Sequence, residues 1–267
     1  MLVLLPPSET KRDGGEGAPL ALGGLGFPGL ARVRREVLSG LAALSRNRSR
    51  SIEALKLGPK QAAEVDRNRA VRSSPTMPAL ERYTGVLYDA LDASTLSDAE
   101  YALAHRTVAV HSALFGLVRA RDLIPAYRLS FDSRLSTERG APSLKKRWSA
   151  AVSTELVAHP GLILDLRSEG YVALGPAPAG AGAHYLRVLA RRDDGEVRAL
   201  NHFNKQAKGL FARALIASGE DFADADALLE WARGEGYEVS RVPDSTDLAL
   251  VVPAISGQPG ALTAVLR

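Results

Sequence analysis

The sequence contains no cysteine, and this absence removes several classes of chemistry. Disulfide scaffolds, cysteine-ligated zinc, iron–sulfur clusters and thiol nucleophiles are all excluded. No stretch approaches the ~20 apolar residues that a bilayer span requires. The apolar residues 2–5 stop at Pro6 and Pro7 without the basic flank or cleavage site of a signal peptide, so they predict a buried strand. We therefore expect a cytoplasmic protein with no membrane partner.

Metal-binding patterns and the common catalytic signatures are also missing. The five histidines lie far apart, and none has a partner at the H-x-x-x-H spacing that builds a zinc site on a helix. Neither a P-loop nor a G-x-S-x-G motif is present, and no G-x-G-x-x-G follows a predicted strand. We therefore expect neither a resident metal nor a cofactor.

The residues that are present indicate a globular fold of mixed strands and helices. The 267 residues are 46% hydrophobic and 24% charged, which fits a protein with a packed core. Strands and helices follow one another in an irregular order rather than in a sustained βαβ repeat. We predict a mixed α/β (α+β) fold, with residues 1–267 forming a single compact domain in which helices surround a mixed sheet.

Local patterns place the individual elements. The spacing of apolar residues predicts helices at 31–44, 62–71, 80–91 and 205–217. Ser97 and Glu100 form a capping box that begins a further helix. Buried strands are predicted at 107–110 and 161–166, and an antiparallel pair at 185–190 and 197–203 around a turn at 193–195.

Charge is distributed unevenly along the chain, although the formal net charge is only +4. Residues 32–72 contain eleven basic and four acidic side chains, a local net charge of +7. Residues 220–247 contain nine acidic and two basic side chains, a local net charge of −7. The basic segment suits a polyanionic partner, whereas the alternative is a pair of solvated helices of opposite sign.

Polar side chains follow the first predicted strand directly. Ser8, Glu9 and Lys11 place a hydroxyl, a carboxylate and an ammonium where the strand meets a long loop. Such a set can bind a phosphate or a carboxylate and can move a proton, as sites at strand ends often do. The alternative is a solvated turn, since these residue types are common in turns.

A second motif combines a glycine turn with cations. Phe115-Gly116-Leu117, followed by Arg119 and Arg121, resembles the hairpin of a helix-hairpin-helix element, which binds DNA phosphates without reading bases. A tight turn in the core is the alternative.

Further cations lie beside aromatic residues or on one helix face. Arg128 follows Tyr127, and Lys145 lies close to Trp148, a composition suited to phosphate contact with stacking. Lys205 and Lys208 are three residues apart on a predicted helix, where both could address one anion. The alternatives are a core tryptophan and an ordinary polar helix face.

Taken in order, these segments resemble the peroxide stress protein YaaA family over nearly the whole chain. The segments that carry the resemblance are residues 1–11, 83–85, 114–129, Trp148, 168–171 and 205–209. The resemblance implies a mixed α/β unit with a helix-hairpin-helix-like element, protection of DNA during peroxide stress and limitation of free iron. It also implies a basic cleft lined by Lys11, Arg119, Arg128, Lys145, Lys205 and Lys208, with Ser8, Glu9, Tyr83, Ser168 and Glu169 nearby.

The chain departs from the family pattern at two strand ends. Pro-Pro-Ser-Glu-Thr-Lys stands at residues 6–11 where members commonly have Ser-Pro-Ala-Lys-Thr, and Asp165-Leu-Arg167-Ser168 stands where they often have Asn-Leu-Ala-Ser. Both changes add charge at a strand end, so the local chemistry can differ even where the fold is shared.

Two functional hypotheses follow. In the first, the protein binds duplex or branched DNA non-specifically and limits iron-driven damage. Its DNA contacts would be Lys11, Arg119, Arg121, Arg128, Lys145, Lys205 and Lys208. In the second, the cleft is the site of a hydrolase or lyase acting on a phosphorylated or nucleotide-like substrate, including cleavage of an N-glycosidic bond. Its catalytic residues would be Ser8, Glu9 and Glu169, supported by Tyr83 and Ser168.

Overall fold

The structure is a computed structural model that describes residues 1–136, 138, 140–177, 180, 182–191, 197–199 and 203–253. Ten strands are present in these residues: β1 (Leu2–Leu5), β2 (Met77–Pro78), β3 (Val108–Ser112), β4 (Gly116–Arg119), β5 (Leu123–Ile124), β6 (Ile163–Asp165), β7 (Ala183–Arg191), β8 (Val197–Ala199), β9 (Glu238–Arg241) and β10 (Leu248–Pro253). The same residues form ten α-helices: α1 (Ala31–Leu44), α2 (Arg48–Ala54), α3 (Glu64–Arg69), α4 (Ala79–Arg82), α5 (Val86–Leu91), α6 (Asp98–Thr107), α7 (Leu144–Val157), α8 (Glu169–Val172), α9 (Asn204–Ala217) and α10 (Ala225–Gly234).

The main sheet is mixed. Its strands follow the order β4-β3-β1-β6-β7-β10-β9, and β8 pairs with the end of β7. The five strands from β3 to β10 in this order are parallel, while β4 and β9 run antiparallel at the two borders. A second sheet pairs β2 with β5. The predicted mixed α/β fold is confirmed, and so is the antiparallel pair of β7 and β8, although the turn predicted at 193–195 lies outside the described residues.

Parallel pairing places the ends of three buried strands side by side. Leu5 of β1 pairs with Val110 of β3, and Leu4 of β1 pairs with Asp165 of β6. β1 and β6 are fully buried and read as continuous apolar runs up to their last residues, as strands covered on both faces do. The chain therefore leaves β1, β3 and β6 at one edge of the sheet, which we call the carboxyl edge.

Helices predicted from local patterns form where expected, with one exception. α1 spans the predicted residues, and Ser97 accepts from the Glu100 backbone at the start of α6 while Glu100 bonds back to Ser97. The single helix predicted at 80–91 is wrong, because the chain forms α4 and α5 with a break at Tyr83–Gly85. Gly85 has φ +100°, a conformation that other residues rarely adopt, and this breaks the helix.

The helix-hairpin-helix interpretation of residues 111–122 is wrong at this position. The segment is a β-hairpin formed by β3 and β4, whose turn carries the fully buried Phe115. Gly116 has φ +66°, and a Cβ there would lie 2.8 Å from the Trp148 ring. The glycine therefore serves a tight turn beneath a buried tryptophan, as the alternative interpretation of this motif proposed.

Among the described residues, no helix combines the length and apolar character needed to cross a membrane.

Candidate functional site

Polar side chains from distant segments meet at the carboxyl edge of the sheet. The loop after β1 contributes Glu9 and Lys11, and the end of β3 contributes Ser112. Lys11 also forms an isolated β-bridge with Tyr83, which brings the break between α4 and α5 to the same place. The cluster, which we call the strand-end site, consists of Ser8, Glu9, Lys11, Tyr83, Ser112, Tyr127 and Arg128.

Lys11 lies at the centre of this site and is 8% exposed. Its Nζ donates to the backbone carbonyls of Ser8 at 2.8 Å and Glu9 at 3.3 Å. It also lies 4.2 Å from the centroid of the Tyr127 ring and 5.3 Å from that of Tyr83. Burial, followed by repulsion from Arg128, lowers the Lys11 pKa to about 7. A large share of the side chain is therefore a neutral amine near neutral pH.

A chain of three hydroxyl groups lies against Lys11. Ser112 Oγ accepts from the backbone N–H groups of Leu114 and Phe115, both at 3.0 Å. With its lone pairs occupied, Ser112 donates to Tyr127 at 2.7 Å. The hydroxyl groups of Tyr127 and Tyr83 share a hydrogen bond of 2.8 Å in which either can be the donor. Burial raises the pKa values of both tyrosines, so both keep their protons. When Tyr127 is the donor, the Tyr83 hydroxyl keeps a hydrogen for which the described residues give no other acceptor.

An ion pair borders the site. Arg128 Nη2 lies 2.6 Å from Glu9 Oε2, and the Glu9 side chain is 58% exposed whereas that of Arg128 is 10% exposed. The backbone of Arg128 is fixed by Asn68 of α3, which donates to its carbonyl at 2.8 Å and accepts from its N–H at 2.7 Å. The site therefore has a carboxylate on its solvent side, paired with a guanidinium whose backbone is held by α3.

A second cluster lies at the end of β6, next to the strand-end site. Arg167 is fully buried and donates to both oxygens of Asp165, at 2.8 and 2.6 Å, and to His111 Nδ1 at 2.7 Å. Accepting at Nδ1 places the His111 proton on Nε2, and burial together with Arg167 holds its pKa well below the ordinary value. The His111 ring meets the edge of Tyr171 with centroids 6.0 Å apart.

Lys208 of α9 covers this second cluster. Its Nζ lies 3.4 Å from the carbonyl oxygen of Arg167 and 4.8 Å from the centroid of the Tyr185 ring. Burial lowers the Lys208 pKa to about 8, and the nearby Asp165 and Glu169 carboxylates oppose this shift. Ser168 and Glu169 are exposed at the start of α8. Lys205, predicted to share an anion with Lys208, is exposed one turn earlier.

The structure does not bring all the predicted cations to this edge. Arg119 pairs with Ala109 at the start of β3, so Arg119 and Arg121 lie toward the opposite edge of the sheet. Arg119 stacks on Phe27 with its guanidinium carbon 4.4 Å from the ring centroid, and Arg121 lies 5.0 Å from that of Tyr101. Lys145 is exposed near the start of α7, and this helix begins beside the carboxyl edge because Trp148 Nε1 donates to the Ala113 carbonyl at 2.9 Å.

A helical hairpin lies beside the strand-end site, and of its two helices α3 was predicted whereas α2 was not. We call residues 48–69, which comprise α2, its connection and α3, the basic hairpin. Leu55 and Leu57 anchor the connection in the core, and Lys56 between them is exposed with φ +54°. The signal in the sequence was the alternation of Leu55 and Leu57 before Gly58-Pro59-Lys60, which marks a tight turn between helices.

Two residues of the hydroxyl chain were also missed. Ser112 follows the strand predicted at 107–110 and Tyr127 precedes a predicted cation, so each has a local signal. Their contact with Tyr83 depends on the packing of three distant segments. Within the residues that the structure describes, no group of three or more His, Asp or Glu side chains could hold a metal ion. His202 lies outside those residues.

Comparisons with known proteins agree over most of the chain. A family model described as "Peroxide stress protein YaaA" matches residues 1–242. A UPF0246 protein of Corynebacterium efficiens is 45% identical over 240 residues, which cover 90% of this chain and 94% of the relative. A UPF0246 protein of Corynebacterium glutamicum strain R is 41% identical over 254 residues, covering 94% of this chain and 100% of the relative. One from Streptomyces coelicolor is 38% identical over 270 residues, covering 100% and 99%.

Proposed function

The chain belongs to the peroxide stress protein YaaA family, and on that premise we propose that it binds DNA non-specifically during peroxide stress. In this proposal the basic hairpin and its flanks hold the phosphate backbone of duplex or branched DNA. The strand-end site then faces the bound strand. Phosphate contacts of this kind fix position and orientation but carry no sequence information.

The observation that carries the proposal is a set of exposed cations without carboxylate partners. Among the described residues, no carboxylate lies within 4.0 Å of five exposed basic side chains in the hairpin and the segments beside it: Arg35, Arg46, Arg50, Lys60 and Arg72. A cation that is neither buried nor paired is free to neutralise a phosphate and release a counterion.

The position of the hairpin supports the same proposal. Asn68 of α3 clamps the Arg128 backbone, and Lys56 pairs with Asp132 at 2.6 Å. Arg67 of α3 is also close enough to contribute to lowering the Lys11 pKa. A DNA phosphate backbone bound to the basic hairpin would therefore run beside Lys11 and Arg128. Lys145, Lys205 and Lys208 would extend the contact along the carboxyl edge.

In this proposal, DNA binding also limits iron-driven damage. Hydroxyl radicals formed from iron and peroxide attack DNA where they arise, so a protein that covers the strand shields it. The proposal assigns protection to DNA contact.

Binding of a fluorescent duplex and a four-way junction across a salt series tests the proposal. We expect Arg50→Ala and Lys60→Ala each to weaken binding and to reduce the slope of log affinity against log salt by about 1, because each removes about one phosphate contact. The matched control is Arg233→Ala, which removes one exposed cation from the acidic segment and should leave the slope unchanged. No binding at low salt, or equal slopes in all variants, would contradict the proposal.

A second candidate function is favoured by the strand-end site itself. A buried amine, a hydroxyl chain and the Glu9–Arg128 pair are more than phosphate binding requires. A hydrolase or lyase acting on a phosphorylated or nucleotide-like substrate would use Glu9 or Glu169 as an acid or base, with Ser8, Tyr83 and Ser168 in support. Turnover of nucleotides and nucleosides by the wild type, lost in Glu9→Gln or Glu169→Gln, would establish it.

A further inference from the structure

Lys11 is a buried lysine without an acidic partner in the described part of the chain. No carboxylate among the described residues lies within 4.0 Å of its Nζ, and the closest polar contacts are two backbone carbonyls. The Glu9 carboxylate, two residues away, is directed to Arg128 instead. A buried lysine that serves only stability would be expected to have a paired and hydrogen-bonded charge.

The contacts of Nζ suit a neutral amine. A neutral amine has two hydrogens, which match the carbonyls of Ser8 and Glu9, and one lone pair, which remains free to attack an electrophile. The charged groups around it are Glu9, Glu64, Arg67 and Arg128, and of these Arg128 acts most strongly, by disfavouring the ammonium. Buried lysines of this kind serve as Schiff-base nucleophiles toward carbonyl substrates.

The surroundings of Nζ supply the other groups that this chemistry needs. Tyr83, whose ring centroid is 5.3 Å from Nζ, ends the hydroxyl chain with a hydrogen that can be donated to a carbonyl oxygen. Arg128 offers a guanidinium for a phosphate, and Glu9 offers a carboxylate as a base. These groups suit an aldehyde that carries a phosphate close to its carbonyl carbon.

From this arrangement we infer that Lys11 forms a Schiff base with the aldehyde of a ring-opened, phosphorylated pentose, the group exposed at an abasic site in DNA. The inference rests on the proposed DNA binding for its substrate. Nζ attacks the aldehyde carbon, water leaves, and an imine forms. Loss of a proton from the neighbouring carbon to Glu9 then expels the 3′ phosphate and cuts the strand, and hydrolysis of the imine restores the amine.

The test is reductive trapping with borohydride, which converts the imine to a stable amine. The probes are a duplex with one abasic site, the same duplex undamaged, and free 2-deoxyribose 5-phosphate. We expect the wild type to be trapped on the abasic duplex alone among the duplexes, with the label mapped to the peptide that contains Lys11. Lys11→Met should reduce trapping at least about tenfold, because the nucleophile is gone. Lys146→Met, which removes an exposed lysine of α7, should not.

The pH dependence and the choice of probe separate the outcomes. Trapping should rise through pH about 7 as the Lys11 amine is freed, well below the range in which an ordinary lysine reacts. Trapping of 2-deoxyribose 5-phosphate without trapping of abasic DNA would support Schiff-base formation by Lys11. It would also identify the aldehyde substrate as a free sugar phosphate rather than an abasic site in DNA. Binding of the abasic duplex without trapping, or label on another lysine, would overturn the Lys11 inference and leave DNA binding intact. Failure to bind either duplex would overturn the proposed function. Trapping of 2-deoxyribose 5-phosphate on Lys11 would then support the Schiff-base role of Lys11, and its absence would overturn that role too.

Discussion

In the strand-end site the Lys11 amine is enclosed by carbonyls and aromatic rings, whereas in the basic hairpin Arg50 and Lys60 extend into solvent. The two regions lie side by side, because Asn68 of the hairpin holds Arg128 of the site. Burial shifts protonation and fixes geometry in the first region. In the second region the side chains are exposed, so their charges remain available to a binding partner and are screened by salt.

The difference separates two uses of a basic side chain. The exposed cations of the hairpin act through charge alone, so any of several positions can contribute to holding a polyanion. Lys11 acts through its position and its chemical form, so its neighbours matter more than its charge. The same comparison applies to ion pairs, since Arg167–Asp165 is buried and Lys56–Asp132 is exposed.

The largest expected effect comes from breaking the buried pair. Arg167→Met leaves the Asp165 carboxylate buried without its cation, and removal of one partner from a buried pair typically costs about 3–5 kcal/mol. The free energy of unfolding, measured by urea denaturation, should fall by about this amount. The double variant Asp165→Leu/Arg167→Met should recover part of the loss, because it leaves no unpaired charge. If the free energy of unfolding of Arg167→Met falls by less than about 1 kcal/mol, the Arg167–Asp165 pair contributes no more than an exposed ion pair.

A smaller effect is expected from Lys11, and its sign depends on pH. The pKa of Lys11 is about 7 when folded and 10.5 in its ordinary state, so between these values the unfolded chain binds more protons. Stability should therefore rise with pH across this window, and burial of the charged form is most costly below pH 7. Lys11→Met removes the effect, so the wild type should gain about 2 kcal/mol relative to the variant between pH 7 and 9.

Urea denaturation at several pH values measures this difference. Lys146→Met is the control, and its stability curve should run parallel to that of the wild type. If the curves of the wild type and Lys11→Met are also parallel, Lys11 is not desolvated as the contacts indicate. The comparison between the two regions would then lose its basis.

Sequence reasoning found the parts of this arrangement that are local. The buried strand β1, the polar residues after it and the amphipathic α1 each depend on neighbours within a few positions. The capping box of α6 is local for the same reason. Ser8, Glu9 and Lys11 were therefore identified as candidates for a site at a strand end.

The parts that sequence reasoning missed depend on long-range pairing or on unusual backbone. Arg119 was expected in the cleft, but the antiparallel pairing of β3 and β4 carries it toward the opposite edge. The helix at 62–71 was predicted, but α2 and the turn that joins it to α3 were missed because Lys56 adopts a positive φ that is more common for glycine. The hydrogen-bonded chain of Ser112, Tyr127 and Tyr83 requires three segments to pack together, which no local pattern encodes.

The smallest expected effect belongs to the exposed pair that joins the hairpin to the segment after Arg128. Lys56 and Asp132 are 2.6 Å apart, with side chains 61% and 43% exposed. A double-mutant cycle with Lys56→Ala and Asp132→Ala should give a coupling of roughly 0.2–1 kcal/mol, because solvent screens both charges.

The hydrogen bond from Lys56 lowers the Asp132 pKa below its ordinary value of 3.8, so the coupling should be present at neutral pH. It should disappear as the pH falls through that lowered pKa, and it should weaken in high salt. A coupling as large as that of the buried pair, or one that salt leaves unchanged, would show that the hairpin is held by a desolvated contact and would remove the contrast between the two regions.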